Sequence, residues 1–308
     1  MSKVLVVGSI NMDLVMRVPR FPQAGETLTG GAFAVVPGGK GANQAAAAAR
    51  LGSEARLVGA VGADQFGEAA LANLQRQGVN VAAVRRLPDA QTGVAMIIVE
   101  PGGRNTILVA SSANGELRAT DVQAEAPLFA WANILVLQCE VPLEATLAAI
   151  GLARANGRPV LFNVAPAPAE LPEEALAVDW VVVNEQEAAA LTGILPADVP
   201  SALEAALALR RRGAQQAIVT LGALGCVYAG REGTGHIPAP QVEAVDTTAA
   251  GDAFVGALAT ALARGEPLSE ALLYANCAGA LAVTKLGAQS SLPDAASVAA
   301  LLRQFRGE

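Results

Sequence analysis

Short runs of adjacent apolar residues alternate along this chain with longer alanine-rich stretches. Val4–Val7, Ala55–Val61, Ile134–Leu137, Val160–Phe162, Trp180–Val183 and Ala217–Leu221 are apolar on successive residues. Such runs predict strands covered on both faces. Between them Gly41–Leu51, Glu68–Gln77, Leu143–Asn156, Glu185–Leu191 and Ala202–Arg212 predict helices. Buried strands alternating with helices indicate an α/β fold built on a parallel sheet. From Gly251 onward the pattern is almost wholly helical. Two segments break the rhythm. Met12–Val36 carries Pro19, Pro22 and Gly30-Gly31 and forms no good helix. Thr92–Ala110 reads as a hairpin, with Gly93–Val99, the turn Pro101-Gly102-Gly103, then Thr106–Ala110. Both of its strands are apolar on successive residues, so both faces need cover. A small β-layer standing on the α/β body accounts for this, and so would two edge strands of the main sheet.

At about 150 residues per domain, 308 residues make two domains or one large α/β domain. The absence of a long linker and of a 20–50-residue repeat favours the single domain. Hydrophobic residues at 53% against 16% charged exclude a disordered chain. Lys plus Arg number 21 and Asp plus Glu 28, a formal charge of −7. That balance speaks against general binding of nucleic acids or anionic membranes, while a local basic pocket for a phosphate stays open. Cys139, Cys226 and Cys277 form no C-x-x-C pair, so a zinc or redox motif is not expected and a reducing compartment is. The single histidine, His236, excludes H-E-x-x-H and multi-histidine metal sites, and reads as a loop residue in Gly-Thr-Gly-His. Val4–Val7 is too short for a signal-peptide core, and no apolar run reaches about 18 residues. A cytoplasmic location is expected.

Three places can hold chemistry. Gly38-Gly39-Lys40-Gly41-Ala42-Asn43 lies directly before an alanine-rich helix. Glycines allow close backbone approach, and a helix N-terminus offers N–H groups to an anion or hydroxyl. The segment matches neither the P-loop nor the dinucleotide fingerprint, since Gln44 stands where a third glycine belongs. An ordinary strand-to-helix turn with a surface lysine fits the spacing equally well. Asp246-Thr247-Thr248-Ala249-Ala250-Gly251-Asp252 precedes a long apolar helix. Ala249, Ala250 and Gly251 then face developing negative charge at a helix start, with Asp252 in the first turn able to take a proton from an attacking hydroxyl. Taken alone, Asp252 reads more readily as an aspartate that merely favours the helix dipole. The third group follows strands: Asn11 and Asp13, Glu140, Asn184 with Glu187, and Thr220-Leu221-Gly222-Ala223-Leu224-Gly225. Each could be a cap or a turn, but ligands of open α/β sheets collect at the carboxyl ends of strands. Cys226 and Cys277 read as core residues, not nucleophiles.

In order and spacing these segments resemble the ribokinase branch of the ribokinase-like (PfkB) carbohydrate kinases over essentially the whole chain. The resemblance rests on Gly8–Asp13, Pro22–Thr27, Gly38–Gln44, Asn163–Pro168, Asn184–Glu187, Thr220–Gly225, Asp246–Asp252 and Gly287–Pro293. It implies a three-layer α/β/α fold with a mostly parallel central sheet. It also implies a small β-sheet lid over the sugar, from segments near 12–36 and 92–110 of one kinase domain. The implied activity is phosphorylation of D-ribose at its 5-hydroxyl by ATP. Asn11, Asp13, Gly39, Lys40, Asn43 and Glu140 match sugar-binding positions. Asn184, Thr220, Leu221, Gly222, Ala223, Leu224, Gly225, Gly251 and Asn276 match ATP-site positions. Asp252 matches the catalytic base, and Ala249, Ala250 and Gly251 the anion hole. Glu187 belongs to the motif that organises Mg2+ through water. Asp246, Thr248, Ala282, Lys285, Gly287 and Ser291 match a monovalent-cation loop that takes K+, several of them through backbone carbonyls. The chain departs from the family pattern at Ala223, where many relatives carry serine, at Met12, and at Ser111-Ser112-Ala113-Asn114 in place of Gly-Ala-Asn. Kinases of the same fold acting on 2-deoxyribose, fructose or a nucleoside remain alternatives, as does a non-catalytic sugar-binding protein. A nucleotide-dependent oxidoreductase would need the dinucleotide glycine pattern, which the chain lacks. The apolar lid strands lead us to expect a homodimer that pairs lid to lid.

Overall fold

The computed structural model describes residues 1–101, 104–231 and 233–308. The strands are β1 Lys3–Val7, β2 Asn11–Arg17, β3 Phe33–Gly38, β4 Glu54–Gly62, β5 Val79–Asn80, β6 Val84–Leu87 and β7 Gly93–Val99. They continue with β8 Asn105–Ala110, β9 Ile134–Leu137, β10 Val160–Asn163, β11 Trp180–Val183, β12 Gln216–Thr220, β13 Cys226–Gly230 and β14 Gly233–Ile237. A ten-stranded sheet runs β14-β13-β12-β11-β10-β9-β1-β4-β5, with β6 also paired to β4. All its pairings are parallel except β12 with β13 and β13 with β14.

The strand pleat sorts adjacent apolar residues into two cores. Val4, Val6, Ile134, Val136, Leu161, Val182 and Ile218 pack on one face, under the helices Lys40–Arg50, Ala250–Ala263 and Leu268–Ala282. Leu5, Val7, Leu135, Leu137, Phe162, Val181, Val183 and Val219 pack on the other, under Leu143–Ala155 and Val199–Arg211. Helices on both faces are what make successive apolar residues necessary in these strands.

A second, four-stranded sheet has the order β3-β2-β7-β8. It excludes the reading of Thr92–Ala110 as edge strands of the main sheet. β2 runs parallel to β7, while β3 and β8 are antiparallel to their neighbours. The predicted Gly102-Gly103 turn lies outside the described residues. The expected cover on both faces of this hairpin is missing for β8, which is exposed at every position among the described residues, whereas β7 is buried or half-buried at all but one. Two further expectations are corrected. Asn11 and Asp13 do not merely trail the first strand; they lie in β2 and carry the chain from the large sheet into the small one. His236 is not in a loop but in β14, opposite Val227, with Nε2 2.7 Å from the Leu224 carbonyl. The glycine-rich Gly-Thr-Gly-His segment hides its strand because β14 is an edge held by backbone pairing, without an apolar run.

Candidate active site

The centre of the site is Asp252, in the first turn of the Ala250–Ala263 helix and buried. No side chain caps that helix, and its N-cap, Ala249, adopts a left-handed conformation with φ 59°. This conformation is costly for a residue with a Cβ and persists where the surroundings impose it. The Ala250 N–H donates to the Thr247 carbonyl at 3.3 Å, so this amide of the expected anion hole is engaged. The N–H groups of Ala249, Gly251 and Asp252 meet no acceptor among the described residues. A helix start with free donors attracts negative charge.

Two amides from the Lys40–Arg50 helix fix the Asp252 carboxylate. Asn43 Nδ2 donates to Oδ2 at 2.9 Å and Gln44 Nε2 to Oδ1 at 2.9 Å. Gln44 Nε2 also donates to Asn163 Oδ1 at 3.0 Å, and Gln138 Nε2 donates to Gln44 Oε1 at 2.6 Å. A carboxylate can only accept, so both amides must turn their NH2 ends to it. Asn43 Oδ1 is therefore buried with no hydrogen-bond donor among the described residues.

Electrostatics bind the cluster together. Burial raises the Asp252 pKa, against the Lys40 charge and the Asn43 and Gln44 hydrogen bonds, which lower it. Burial, with Glu140 and then Asp252 nearby, raises Asp13 from 3.8 to about 7. Burial opposes the Lys40 charge, but the carboxylates of Asp252, Glu140 and Glu187 outweigh it and raise the Lys40 pKa. Glu140 follows β9; its Oε2 accepts from Ser9 Oγ at 2.5 Å and from the Lys40 N–H at 3.1 Å. Asp13 sits against Gly38, where a Cβ would stand 2.2 Å from its carboxylate oxygen, so only glycine lets β3 pass so close. Gly39 starts the helix beside them. Burial also drives the Cys139 thiol up to about 12, with Glu187 and Glu140 adding to it. Cys139 is thus protonated at neutral pH and no nucleophile.

Asn184 caps the helix Glu185–Thr192 in a reciprocal box. Its Oδ1 accepts from Glu187 N–H at 2.8 Å and its own N–H donates to Glu187 Oε2 at 2.8 Å. Asn184, Glu187, Lys40, Thr220 and Asp252 line one cavity of about 200 Å³. A second, of about 320 Å³, shares Thr220, Thr247 and Gly251 with it and continues past Gly222, Ala223 and Gly225. Its far end is apolar, with Val242, Phe254, Ala280 and Val283, plus Asn276, whose Nδ2 donates to the Ile237 carbonyl at 2.9 Å. Leu221 and Leu224 shape the turn: the Leu221 N–H donates to the Gly225 carbonyl and the Leu224 N–H to that of Leu221. Two larger hollows lie elsewhere, about 630 Å³ beside β5 and β6 and about 450 Å³ at the amino ends of β10 and β12. Neither gathers carboxylates with an open helix start.

Beside the helix start, Asp246 Oδ1 accepts from Thr248 Oγ1 at 2.6 Å and from the Thr248 N–H at 3.0 Å, and Oδ2 from the Gly287 N–H at 2.8 Å. Partial burial works to raise the Asp246 pKa, but these hydrogen bonds outweigh it and hold it below the usual range. The carbonyls of Thr248, Lys285 and Gly287 accept no hydrogen bond among the described residues. The Ala282 carbonyl accepts from the Lys285 N–H, and buried Ser291 donates its Oγ to the Ala288 carbonyl at 2.8 Å.

Asn43, Lys40, Glu140, Asp13 and Asp252 thus come together from four separate stretches of chain. Gln44, Gln138, Asn163 and Asn114 are not among the site residues expected from the sequence, although three of them lie in its motifs. The available signal was polarity at buried positions: Gln44 opens an alanine run, and Gln138 directly follows the apolar β9.

Comparison with known proteins agrees with this architecture. The chain is 41% identical to the ribokinase of Schizosaccharomyces pombe over 305 residues, 95% of each chain. It is 38% identical to the deoxyribokinase of Salmonella typhimurium over 292 residues, 94% of this chain and 95% of that one. The structure of Arabidopsis thaliana ribokinase complexed with ribose and ATP superposes with a TM-score of 0.90 at 31% identity, covering 98% of this chain and 99% of that one. The profile of the pfkB family carbohydrate kinases matches residues 1–295, and the chain belongs to that family.

Proposed function

We propose that this carbohydrate kinase transfers the terminal phosphoryl group of ATP to O5 of D-ribose. The observation that carries the reading is the buried Asp252 carboxylate, clamped by Asn43 and Gln44 at the mouth of an uncapped helix. Phosphoryl transfer demands positioning and charge neutralisation more than covalent chemistry. Asp252 is placed to accept the 5-hydroxyl proton as that oxygen attacks. The unpaired N–H groups of Ala249 and Gly251 are placed to hold the transferring oxygens, and Lys40 to offset their charge. The apolar cavity past Thr220–Gly225 suits an adenine ring, and the polar one toward Asn184 suits phosphates. Asn11, Asp13, Asn43 and Glu140 supply the amides and carboxylates that an all-hydroxyl sugar requires. The orphaned Asn43 Oδ1 is an acceptor awaiting a hydroxyl.

The donor set fits the two metals that the family pattern implies. Glu187 keeps one carboxylate oxygen free of the capping box, a hard donor suited to Mg2+ or its water shell. When bound, Mg2+ supplies charge neutralisation to the terminal phosphates. The open carbonyls of Thr248, Lys285 and Gly287, with Asp246, Ala282 and Ser291, suit a large, weakly hydrated cation such as K+. Such an ion would brace the helix start without entering the chemistry. The small sheet acts in this reading as a lid that excludes water from the sugar. The exposed β8 edge pairs with the same edge of a second copy.

The test is ADP release, coupled to a reporter enzyme, with a panel of ribose, 2-deoxyribose, fructose and a nucleoside, in K+ and in tetramethylammonium. Ribose is expected to give the highest kcat/KM and K+ to raise the rate well above tetramethylammonium. Preference for another sugar overturns the substrate, and ion-independent rates overturn the cation site.

A further inference from the structure

Asn114 lies in the short turn Ser112–Glu116 and is only 2% exposed. Its Oδ1 accepts from the Ile10 N–H at 2.9 Å, and its Nδ2 donates to the Ile10 carbonyl at 3.1 Å. An amide clasped by the N–H and the C=O of one backbone residue has a single orientation. Exchanging its ends would set donor against donor and acceptor against acceptor. The same Nδ2 donates to Asn11 Oδ1 at 2.7 Å. The backbone of Ile10 thus orients Asn114, and Asn114 orients Asn11. The Asn11 oxygen is occupied, and its NH2 makes no hydrogen bond among the described residues. A third element is shaped for this contact. At Gly93, the first residue of β7, a Cβ would stand 2.3 Å from Asn11 Oδ1 and 2.3 Å from Asn114 Nδ2.

We propose that Asn114 is a positioning residue that makes Asn11 a hydrogen-bond donor toward the sugar. This deepens the sugar-kinase reading above and rests on it. Asn11 and Asp13 are two apart in β2 and so share one face of the small sheet. With Asn11 held as a donor and the Asp13 carboxylate, once ionised, as an acceptor, the pair recognises a group that both accepts and donates, which is a hydroxyl. An Asn11 free to flip would present its oxygen half the time and lose that selection. Asn114 touches Asn11 and the Ile10 backbone, and its part in selectivity is exerted through Asn11.

The experiment is a double-mutant cycle on kcat/KM, with ribose, 2-deoxyribose and any better sugar from the panel, and KM for ATP as the control. Asn114→Ala is expected to lower kcat/KM for ribose by roughly tenfold and for 2-deoxyribose by less, with KM for ATP unchanged. In an Asn11→Ala background the Asn114→Ala loss should vanish. An equal loss with Asn11 absent, or an equal loss on every sugar together with a raised KM for ATP, shows a merely structural role and overturns the proposal. Because the cycle runs on whichever sugar is used best, failure of ribose as substrate leaves the coupling measurable. Should Asn114→Ala not fold, Asn11→Asp serves. It keeps an oxygen for Asn114 and replaces the free NH2 with an acceptor, so ribose turnover should fall at least tenfold. Wild-type ribose turnover in Asn11→Asp overturns the donor role.

Discussion

Replacing Asp13 by asparagine is expected to stabilise the protein while removing its sugar affinity, and the two effects should separate along the pH axis. Asp13 is 7% exposed, and its pKa is raised from 3.8 to about 7, first by burial and then by Glu140 and Asp252. A carboxyl that ionises later when folded than when unfolded costs stability once it is charged. Below about pH 4 it is protonated in both states and costs nothing. As pH rises toward 7 the unfolded chain has released the proton that the folded chain keeps, so stability falls; above about 7 the cost is constant. At 1.36 kcal/mol per pH unit, the gap between 3.8 and about 7 comes to an upper estimate of about 4 kcal/mol. The Asp13→Asn side chain has no proton to release. Urea unfolding of both proteins from pH 4 to 9 should give curves that meet near pH 4 and diverge by a few kcal/mol near pH 8, with the variant the more stable. Isothermal titration with ribose should show the opposite order, with wild-type affinity growing as Asp13 ionises and the variant weak throughout, since in the proposed function sugar hydroxyls donate to the carboxylate. Parallel stability curves across this range would refute the assigned burial of Asp13 and its coupling to Glu140.

Three further outcomes follow from the same geometry. Asp252→Asn should bind ATP and sugar yet lose about 10²–10⁴-fold in kcat, because the amide cannot take the hydroxyl proton; near wild-type turnover would remove Asp252 as the base. Gln44→Met deletes one of the two donors to Asp252. Hydrogen bonds to a charged group are worth about 1.5–3 kcal/mol, so the acid limb of kcat/KM should move up by about one to two pH units; an unmoved limb with uniformly lower activity would show that Gln44 only packs. Leu108→Glu on β8, where Leu108 is 59% exposed, should convert a dimer to a monomer in light scattering; a wild-type protein already monomeric at micromolar concentration refutes pairing through that edge.

The central sheet was legible because each of its buried strands has helices on both sides, so adjacent apolar residues mark it plainly. β14 was not, since it is an edge strand of mostly small and polar residues. The candidate site was legible as motifs and silent about contacts. Asn43, Lys40 and Asp252 stand out beside glycines and at helix starts, where local chemistry leaves a trace in the sequence. Gln44, Gln138 and Asn163 act through one another across three elements, and no local pattern predicts which amides meet in space.

Those meetings depend on places where a side chain is missing. Asp13 reaches its position because Gly38 of β3 offers no Cβ, and Asn11 reaches Asn114 because Gly93 of β7 offers none. Each glycine sits opposite β2 in the small sheet, Gly38 paired with Asn11 and Gly93 paired with Asn11 from the other side. β2 is therefore flanked at one point by two residues whose missing side chains make room for its own polar ones. The start of β2 is where the groups proposed to face the sugar are packed, so in that reading the join between the sheets and the selectivity of the site are one structure. The apolar cavity beyond Thr220 lies on the main sheet and shares no residue with β2, β3 or β7. A substitution that widens the join, such as Gly93→Ala, should therefore act on sugar selectivity before it acts on nucleotide binding. The ratio of kcat/KM for ribose and 2-deoxyribose should fall while KM for ATP holds, and a raised KM for ATP with an unchanged ratio would break the link between join and selectivity.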